Sequence, residues 1–207
     1  MDAPELIAVR AALAEGAEPS TVVLVEGASD QAALATLAGR YGRDLTAEGI
    51  SIVPMGGATT IGHFLALLGP NGHDYRLAGL CDAGEEGDFR RGLERAGMGI
   101  HPTRDNLESV GFFVCVADLE DELIRALGPD VVVEIIDAQG ELGSLRILQR
   151  QPFHRDRSIE QVLWRFMGTR SGRKSTYARL LVEAMDLDRV PPPLDGLLEY
   201  VSPRGSC

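Results

Sequence analysis

Four short apolar runs mark the first two-thirds of the chain, each followed by a stretch with helical spacing. Thr21–Val25, Gly49–Pro54, Arg76–Cys81 and Gly111–Val116 read as strands. They are apolar almost throughout, the pattern of strands covered on both faces. Gln31–Gly39, Thr60–Leu68, Glu85–Ala96 and Leu119–Leu127 instead place apolar residues at intervals near 3.6, as helices do. Another helix is expected at Pro4–Gly16, which is rich in Ala, Leu and Glu and stops at a glycine. The alternation predicts an α/β fold with a mainly parallel sheet flanked by helices, of the Rossmann-like kind.

Past Gly128 the strand signal fades. Val131–Ile136 suits either a fifth strand or a helix, whereas Glu141–Arg150, Ser158–Phe166, Lys174–Met185 and Leu194–Tyr200 are helical. Pro191-Pro192-Pro193 makes a rigid break before the last of these. A boundary near Ala138–Gly143 divides the chain into an α/β domain over residues 1–138 and a helical extension over residues 139–207. No internal repeat or low-complexity linker interrupts it.

Net charge of −11 argues, taken alone, against a nucleic-acid partner. Its distribution changes that picture, because residues 146–179 carry 9 basic and 2 acidic side chains while residues 1–145 carry 9 and 24. An acidic body with one basic segment suits a metal site beside a phosphate-binding surface. A solvated helical face paired with the acidic body fits the charge equally well. Of the three cysteines, Cys81 and Cys115 sit inside apolar runs, as small buried thiols do, which leads to the expectation of a reduced, cytoplasmic protein. No apolar run approaches the length of a membrane span, and Met1-Asp2-Ala3-Pro4-Glu5 lacks the basic start of a secretory leader.

The acids at the strand ends carry the candidate chemistry. Val25-Glu26-Gly27-Ala28-Ser29-Asp30 closes the first strand and opens a helix, Asp82 follows the third strand, and Asp118 and Glu120 follow the fourth. These carboxyl ends form the rim where parallel sheets hold ligands. Two carboxylates about 5 Å apart repel by roughly 3 kcal/mol at an effective dielectric near 20. A gathering of Glu26, Asp30, Asp82, Asp118 and Glu120 therefore calls for a hard divalent cation, Mg²⁺ before Ca²⁺. His63, His73, His101 and His154 stand apart and do not suggest zinc. Several acids also have ordinary uses. Asp118 with Asp121 fits a helix cap, Glu120–Glu122 and Glu85–Asp88 fit first helical turns, and so does Asp30. Glu26 and Asp82, charged directly after buried strands, are harder to explain in that way.

At Glu26-Gly27, Asp82 and Asp118-Leu119-Glu120 the chain resembles a TOPRIM domain, the metal-binding fold of topoisomerases, bacterial primases and several nucleases. With Asp30 and a lysine in a helical extension, it is most similar to the OLD-family (overcoming lysogenization defect) nucleases. The resemblance covers roughly Thr21–Leu127 and, more loosely, Glu141–Tyr200. It implies a Mg²⁺-dependent DNA endonuclease or nickase, with Mn²⁺ or Ca²⁺ as substitutes. Glu26, Asp30, Asp82, Asp118 and Glu120 would be the metal ligands, and Glu26 and Lys174 the catalytic pair. TOPRIM domains carry two aspartates one residue apart at the later strand, whereas this chain has Asp82-Ala83-Gly84. The usual ligand of a second metal is thereby missing, with Glu85 and Glu86 as candidate replacements. The alternative function is a non-catalytic module that binds metal and nucleic acid or a partner ATPase. OLD proteins also carry an ATPase domain ahead of the TOPRIM part. Met55-Gly56-Gly57-Ala58-Thr59-Thr60 lacks the lysine of a Walker loop, so no ATP site is expected here and a separate ATPase chain is a candidate partner. Assembly with further copies stays open.

Lys174 is the one lysine beside nineteen arginines. A position that keeps a compact ammonium among so many guanidinium groups suggests a use that the planar fork does not meet. In OLD-like nucleases a lysine in this region belongs to the catalytic set. Arg155, Arg157, Arg165, Arg170, Arg173 and Arg179 are the candidate DNA-phosphate contacts. Trp164 and Phe166 read as core residues rather than as base-stacking platforms.

Overall fold

The computed structural model describes residues 19–98 and 104–203, with backbone alone at 104 and 105. The helix expected at Pro4–Gly16 lies outside the described residues. Strands β1 (Thr21–Val25), β2 (Ile50–Pro54), β3 (Arg76–Cys81) and β4 (Phe112–Val114) form one sheet in the order β2-β1-β3-β4. Every pairing is parallel, with Val23 set between Ile52 and Ala78. The chain runs outward from β1 to β2 and then crosses back to β3. The switch in direction therefore opens a crevice at the carboxyl ends of β1 and β3.

Successive residues of β1 feed two different cores, which explains its unbroken apolar run. Val22 and Leu24 join Leu77, Cys81 and Phe112 beneath α2 (Ile61–Leu68) and α3 (Glu86–Arg95). Val23 and Val25 join Ala78 and Leu80 on the opposite face, against α1 (Ala28–Arg40). Gly79 must be small at this point, because a Cβ there would lie 2.8 Å from Leu24 O and from the Phe112 ring. A short helix, α4 (Arg104–Leu107), leads into β4.

The remaining helices are α5 (Leu119–Leu127), α6 (Pro129–Ala138), α7 (Leu142–Gln149), α8 (Ile159–Met167), α9 (Arg173–Ala184) and α10 (Pro192–Tyr200). Residues 131–136 are thus helical, with Val132 and Ile136 buried one turn apart on a single face. The triple proline starts α10 instead of preceding it, since a proline in the first turn removes no needed donor.

The helical extension shares the α1-side core, to which Leu163, Phe166, Tyr177, Leu181 and Leu197 contribute. Polar ties hold it there as well. Arg40 donates to Val182 O at 2.8 Å and also to Met185 O, which serves the open carbonyl end of α9. Arg43 donates to Leu198 O at 2.6 Å. Gly111, at φ +89°, lets Tyr200 lie over the start of β4, where a Cβ would come within 2.4 Å of the ring. β4 is shorter than the apolar run Gly111–Val116. Its ladder ends where Cys115 N–H donates to Cys81 O, and the next N–H, that of Val116, goes to Glu122 Oε1 at 2.6 Å. No helix among the described residues is long and apolar enough to cross a membrane.

Candidate metal centre

β1 ends at Val25, and the turn to α1 at Gly27 leaves Glu26 on the rim of the switch-point crevice. Its carbonyl accepts from Gly56 N and Gly57 N at 3.0 and 3.1 Å, so the loop after β2 fixes the Glu26 backbone. The Glu26 carboxylate then crosses the crevice, where Oε1 accepts from the backbone N–H of Asp82 at 3.0 Å. Ala83 N–H donates to Ala117 O at 2.9 Å, which draws the loop after β4 to the same place.

Asp30 is buried at the third position of α1, where its Oδ2 accepts from Gly27 N at 2.9 Å. It is therefore a capping acid as well as a neighbour of Glu26. Asp118 caps α5 by accepting from Asp121 N at 2.8 Å, and its other oxygen accepts from Trp164 Nε1. With both oxygens engaged, it is less free than Glu26 or Asp82 to turn toward a cation. Glu120 stands two residues after Asp118, in the first turn of α5, and is buried. Its Oε2 accepts from Lys174 Nζ at 2.9 Å, while Oε1 is buried and has no hydrogen-bond partner among the described residues. Helix α9 brings Lys174 to this point.

The electrostatics reflect the crowding. Burial, reinforced by Glu26, Asp30, Asp118 and Glu120, pushes Asp82 from 3.8 up to about 8. Burial also lifts Asp30 to about 6, opposed by the Gly27 N–H and helped by Glu120 and Glu26. Glu26 is raised by burial and by Glu85 and Glu120, against the Asp82 N–H and Lys174. Burial alone would lower the Lys174 ammonium, but the contact with Glu120, together with Asp118 and Asp82, holds it above its ordinary value. Among the described residues, no three carboxylate, imidazole or thiol side chains form a ready-made cage. The donors are all oxygen, they repel one another, and one buried oxygen is bare. That chemistry fits a hard divalent cation drawing Glu26, Asp82 and Glu120 inward.

The arginines of the basic segment divide sharply. Arg173 is buried, with its guanidinium 4.1 Å over the Phe166 ring. It donates to Phe166 O at 3.2 Å, to Thr169 Oγ1, and to Glu141 Oε1 at 2.6 Å. Glu141 also accepts from Tyr177 OH at 2.8 Å. Arg173 is thus committed to the scaffold rather than offered to a phosphate. Arg170 and Arg179 are exposed, near Glu141 at 3.5 Å and Glu183 at 2.6 Å. Arg155 is exposed, and Arg157 lies 4.3 Å over the Phe153 ring.

Sequence reasoning missed two residues here. Glu122, which resembles an ordinary first-turn acid, is buried and holds both Val116 N–H and Arg125 at 2.7 Å. Trp164 is not a core residue like Phe166. It stays 40% exposed and meets Asp118, since α8 turns its buried face (Val162, Leu163, Phe166) away from it.

An all-parallel sheet with acids at its switch point, and a lysine delivered from packed helices, is an arrangement similar to that of TOPRIM-type α/β domains with a helical extension. Residues 20–83 match the family described as "Overcoming lysogenization defect protein-like, TOPRIM domain", a span that includes both Glu26 and Asp82. The fold resembles the C-terminal region of the Burkholderia pseudomallei OLD protein. The TM-score is 0.68 at 20% identity, over 88% of this chain and 97% of that one. It also resembles the C-terminal region of the Xanthomonas campestris pv. campestris OLD protein, with TM-score 0.70 at 25% identity, over 88% and 92% of the two chains. A search of curated proteins finds no match. The α/β architecture and the TOPRIM resemblance expected from the sequence both stand.

Proposed function

We propose that this chain is a divalent-metal-dependent DNA endonuclease or nickase of the OLD-like TOPRIM type. The observation that carries the reading is Glu120, buried in the acid crevice with one oxygen on the chain's single lysine and the other bare. Glu26, Asp82 and Glu120, flanked by Asp30 and Asp118, would hold Mg²⁺, or Mn²⁺ or Ca²⁺ in its place. When bound, such an ion neutralises phosphate charge and lowers the pKa of a coordinated water.

The residues of the chain supply the rest. Glu26, raised above its ordinary value, accepts a proton from the attacking water more readily than a free glutamate would. Lys174, shared with Glu120, presents a compact positive charge to the oxygens that gain charge as the phosphorus becomes pentavalent. Arg155, Arg157, Arg170 and Arg179 hold the strand on either side through its phosphates. Plasmid nicking in Mg²⁺ or Mn²⁺ tests this. Glu26→Gln and Lys174→Ala should each abolish nicking while far-UV circular dichroism stays native. Unchanged nicking in both variants refutes the assignment.

A second reading is favoured by Gly84, which stands where a second aspartate is usual. On that reading the chain binds a metal together with nucleic acid or an ATPase partner, without cutting. Calorimetry with Mn²⁺ separates the two, since two sites accompany the nuclease and one weak site accompanies the binding module.

A further inference from the structure

Trp164 borders a second hollow besides the acid crevice. α7, the turn Pro152–His154 and α8 enclose a cleft of about 570 Å³ lined by Leu148, Phe153, His154, Arg157, Trp164 and Arg165. Two aromatic side chains there reach solvent, with Phe153 73% and Trp164 40% exposed. The Arg157 guanidinium lies 4.3 Å over Phe153, and the His154 ring meets Phe153 edge to face at 5.3 Å. His154 is only 5% exposed, yet its Nδ1 has no partner among the described residues. The wall therefore holds a buried polar atom that needs a partner, beside rings that would be buried if only packing mattered.

We infer that this cleft seats an unpaired nucleotide of single-stranded DNA, its base against Phe153 and Trp164 and its phosphates against Arg157 and Arg165. Stacked rings with interleaved arginines are the chemistry by which proteins hold single strands. A duplex keeps its base faces covered and has no use for exposed aromatic side chains. A lone phosphate would need only the guanidinium groups. An apolar protein partner would not select a segment in which residues 146–179 carry 9 basic and 2 acidic side chains. Trp164 Nε1 also donates to Asp118 at the crevice, so a base seated in the cleft lies beside the acids through one shared residue. The inference rests on the DNA-cleavage reading and narrows its substrate to DNA with an unpaired stretch.

Trp164 is the only tryptophan and reports directly on the cleft. The full chain is titrated in EDTA with oligothymidylate of about a dozen nucleotides and with a duplex of equal length, following tryptophan emission and the anisotropy of labelled DNA. Oligothymidylate should quench Trp164, and Phe153→Ala should weaken its binding about 5- to 100-fold. Phe153→Tyr should restore the affinity, and duplex binding should change less than about twofold. Binding without quenching overturns the inference, as does an equal loss for both DNAs. So does a Phe153→Ala effect confined to loss of a dimer in sedimentation. Cleavage is absent in EDTA, so the two readings fail separately: nicking without quenching removes the cleft alone, and quenching without nicking removes the nuclease alone.

Discussion

Lys174 Nζ lies 2.9 Å from Glu120 Oε2, joining residues 54 positions apart where the first turn of α9 meets the first turn of α5. The two partners are unequal, since the lysine side chain is 46% exposed and the glutamate 4%. The ammonium can fall back on water if the pair breaks, but the carboxylate cannot. The pair therefore matters chiefly for what it does to Glu120.

That asymmetry predicts the behaviour of Lys174→Ala. Without the ammonium, Glu120 is a buried carboxylate with neither oxygen served, which should lower stability by about 1–3 kcal/mol. Glu120→Gln in the same background should recover most of the loss. Mg²⁺ should raise the Tm of Lys174→Ala more than that of the parent, because the ion replaces the missing charge. Thermal unfolding of the three proteins in EDTA and in Mg²⁺ measures this. A Tm of Lys174→Ala that ignores both changes would remove Glu120 from any cation site.

The crowded acids predict an unusual pH profile for the metal-free chain. Asp82 rises from 3.8 to about 8 and Asp30 from 3.8 to about 6, so the folded state holds protons that the unfolded chain releases. Their contribution to stability is complete below about pH 4 and is lost as pH climbs through about 6 and then about 8. In EDTA the Tm should fall between about pH 5 and pH 8, and Asp82→Asn should flatten that slope. Divalent cation should reverse it, because the deprotonated acids bind the ion. Glu141, lowered by Tyr177 and Arg173 against the opposing effect of desolvation, contributes stability that is lost as pH falls and so adds the opposite slope at acid pH. A Tm in EDTA that rises steadily to pH 8 contradicts the shifts.

The arginines predict a split between fold and binding. Arg173→Gln removes a buried guanidinium from Glu141, Phe166 and Thr169, and should cost about 2–4 kcal/mol in urea unfolding. For the molecules that remain folded, the salt dependence of DNA affinity should not change. Arg155→Gln and Arg170→Gln should do the reverse. Stability should hold, while the slope of log K against log salt on duplex DNA falls by about 0.9 for each lost contact.

These contrasts show where the sequence was legible and where it was not. The strand runs were readable because a strand buried on both faces needs apolar residues at every position, and Val22 to Val25 divide between two cores in that way. Glu26 and Asp82 were readable for the opposite reason, as charges set directly after such runs. A count of charges cannot tell Arg173 from Arg170 three residues earlier, because Glu141 is near both and the difference lies in the burial of Arg173 against Phe166 and Thr169. Nor does local spacing reveal that Glu122 faces inward to hold the N–H at the end of β4, or that Trp164 reaches Asp118 instead of the core. Such residues are set by tertiary contact. The ambiguous run at residues 131–136 was likewise settled by packing, which buries Val132 and Ile136 on one helical face.

Gly84 offers a gain-of-function test of the metal site. A Cβ at this position would meet nothing within 4 Å, and its φ lies outside the left-handed region, so an aspartate fits without strain. The new carboxylate would stand two residues after Asp82, on the loop that Ala83 ties to Ala117 at 2.9 Å. In EDTA it adds one more like charge to the crevice, so Gly84→Asp should melt a few degrees below the parent. In Mn²⁺ the order should invert, because each added oxygen donor strengthens a hard-cation site. Calorimetry should show Mn²⁺ affinity rising about tenfold, with nicking increased to match. The same Tm in EDTA and Mn²⁺, with no change in heat, would mean that the loop after β3 does not face a cation.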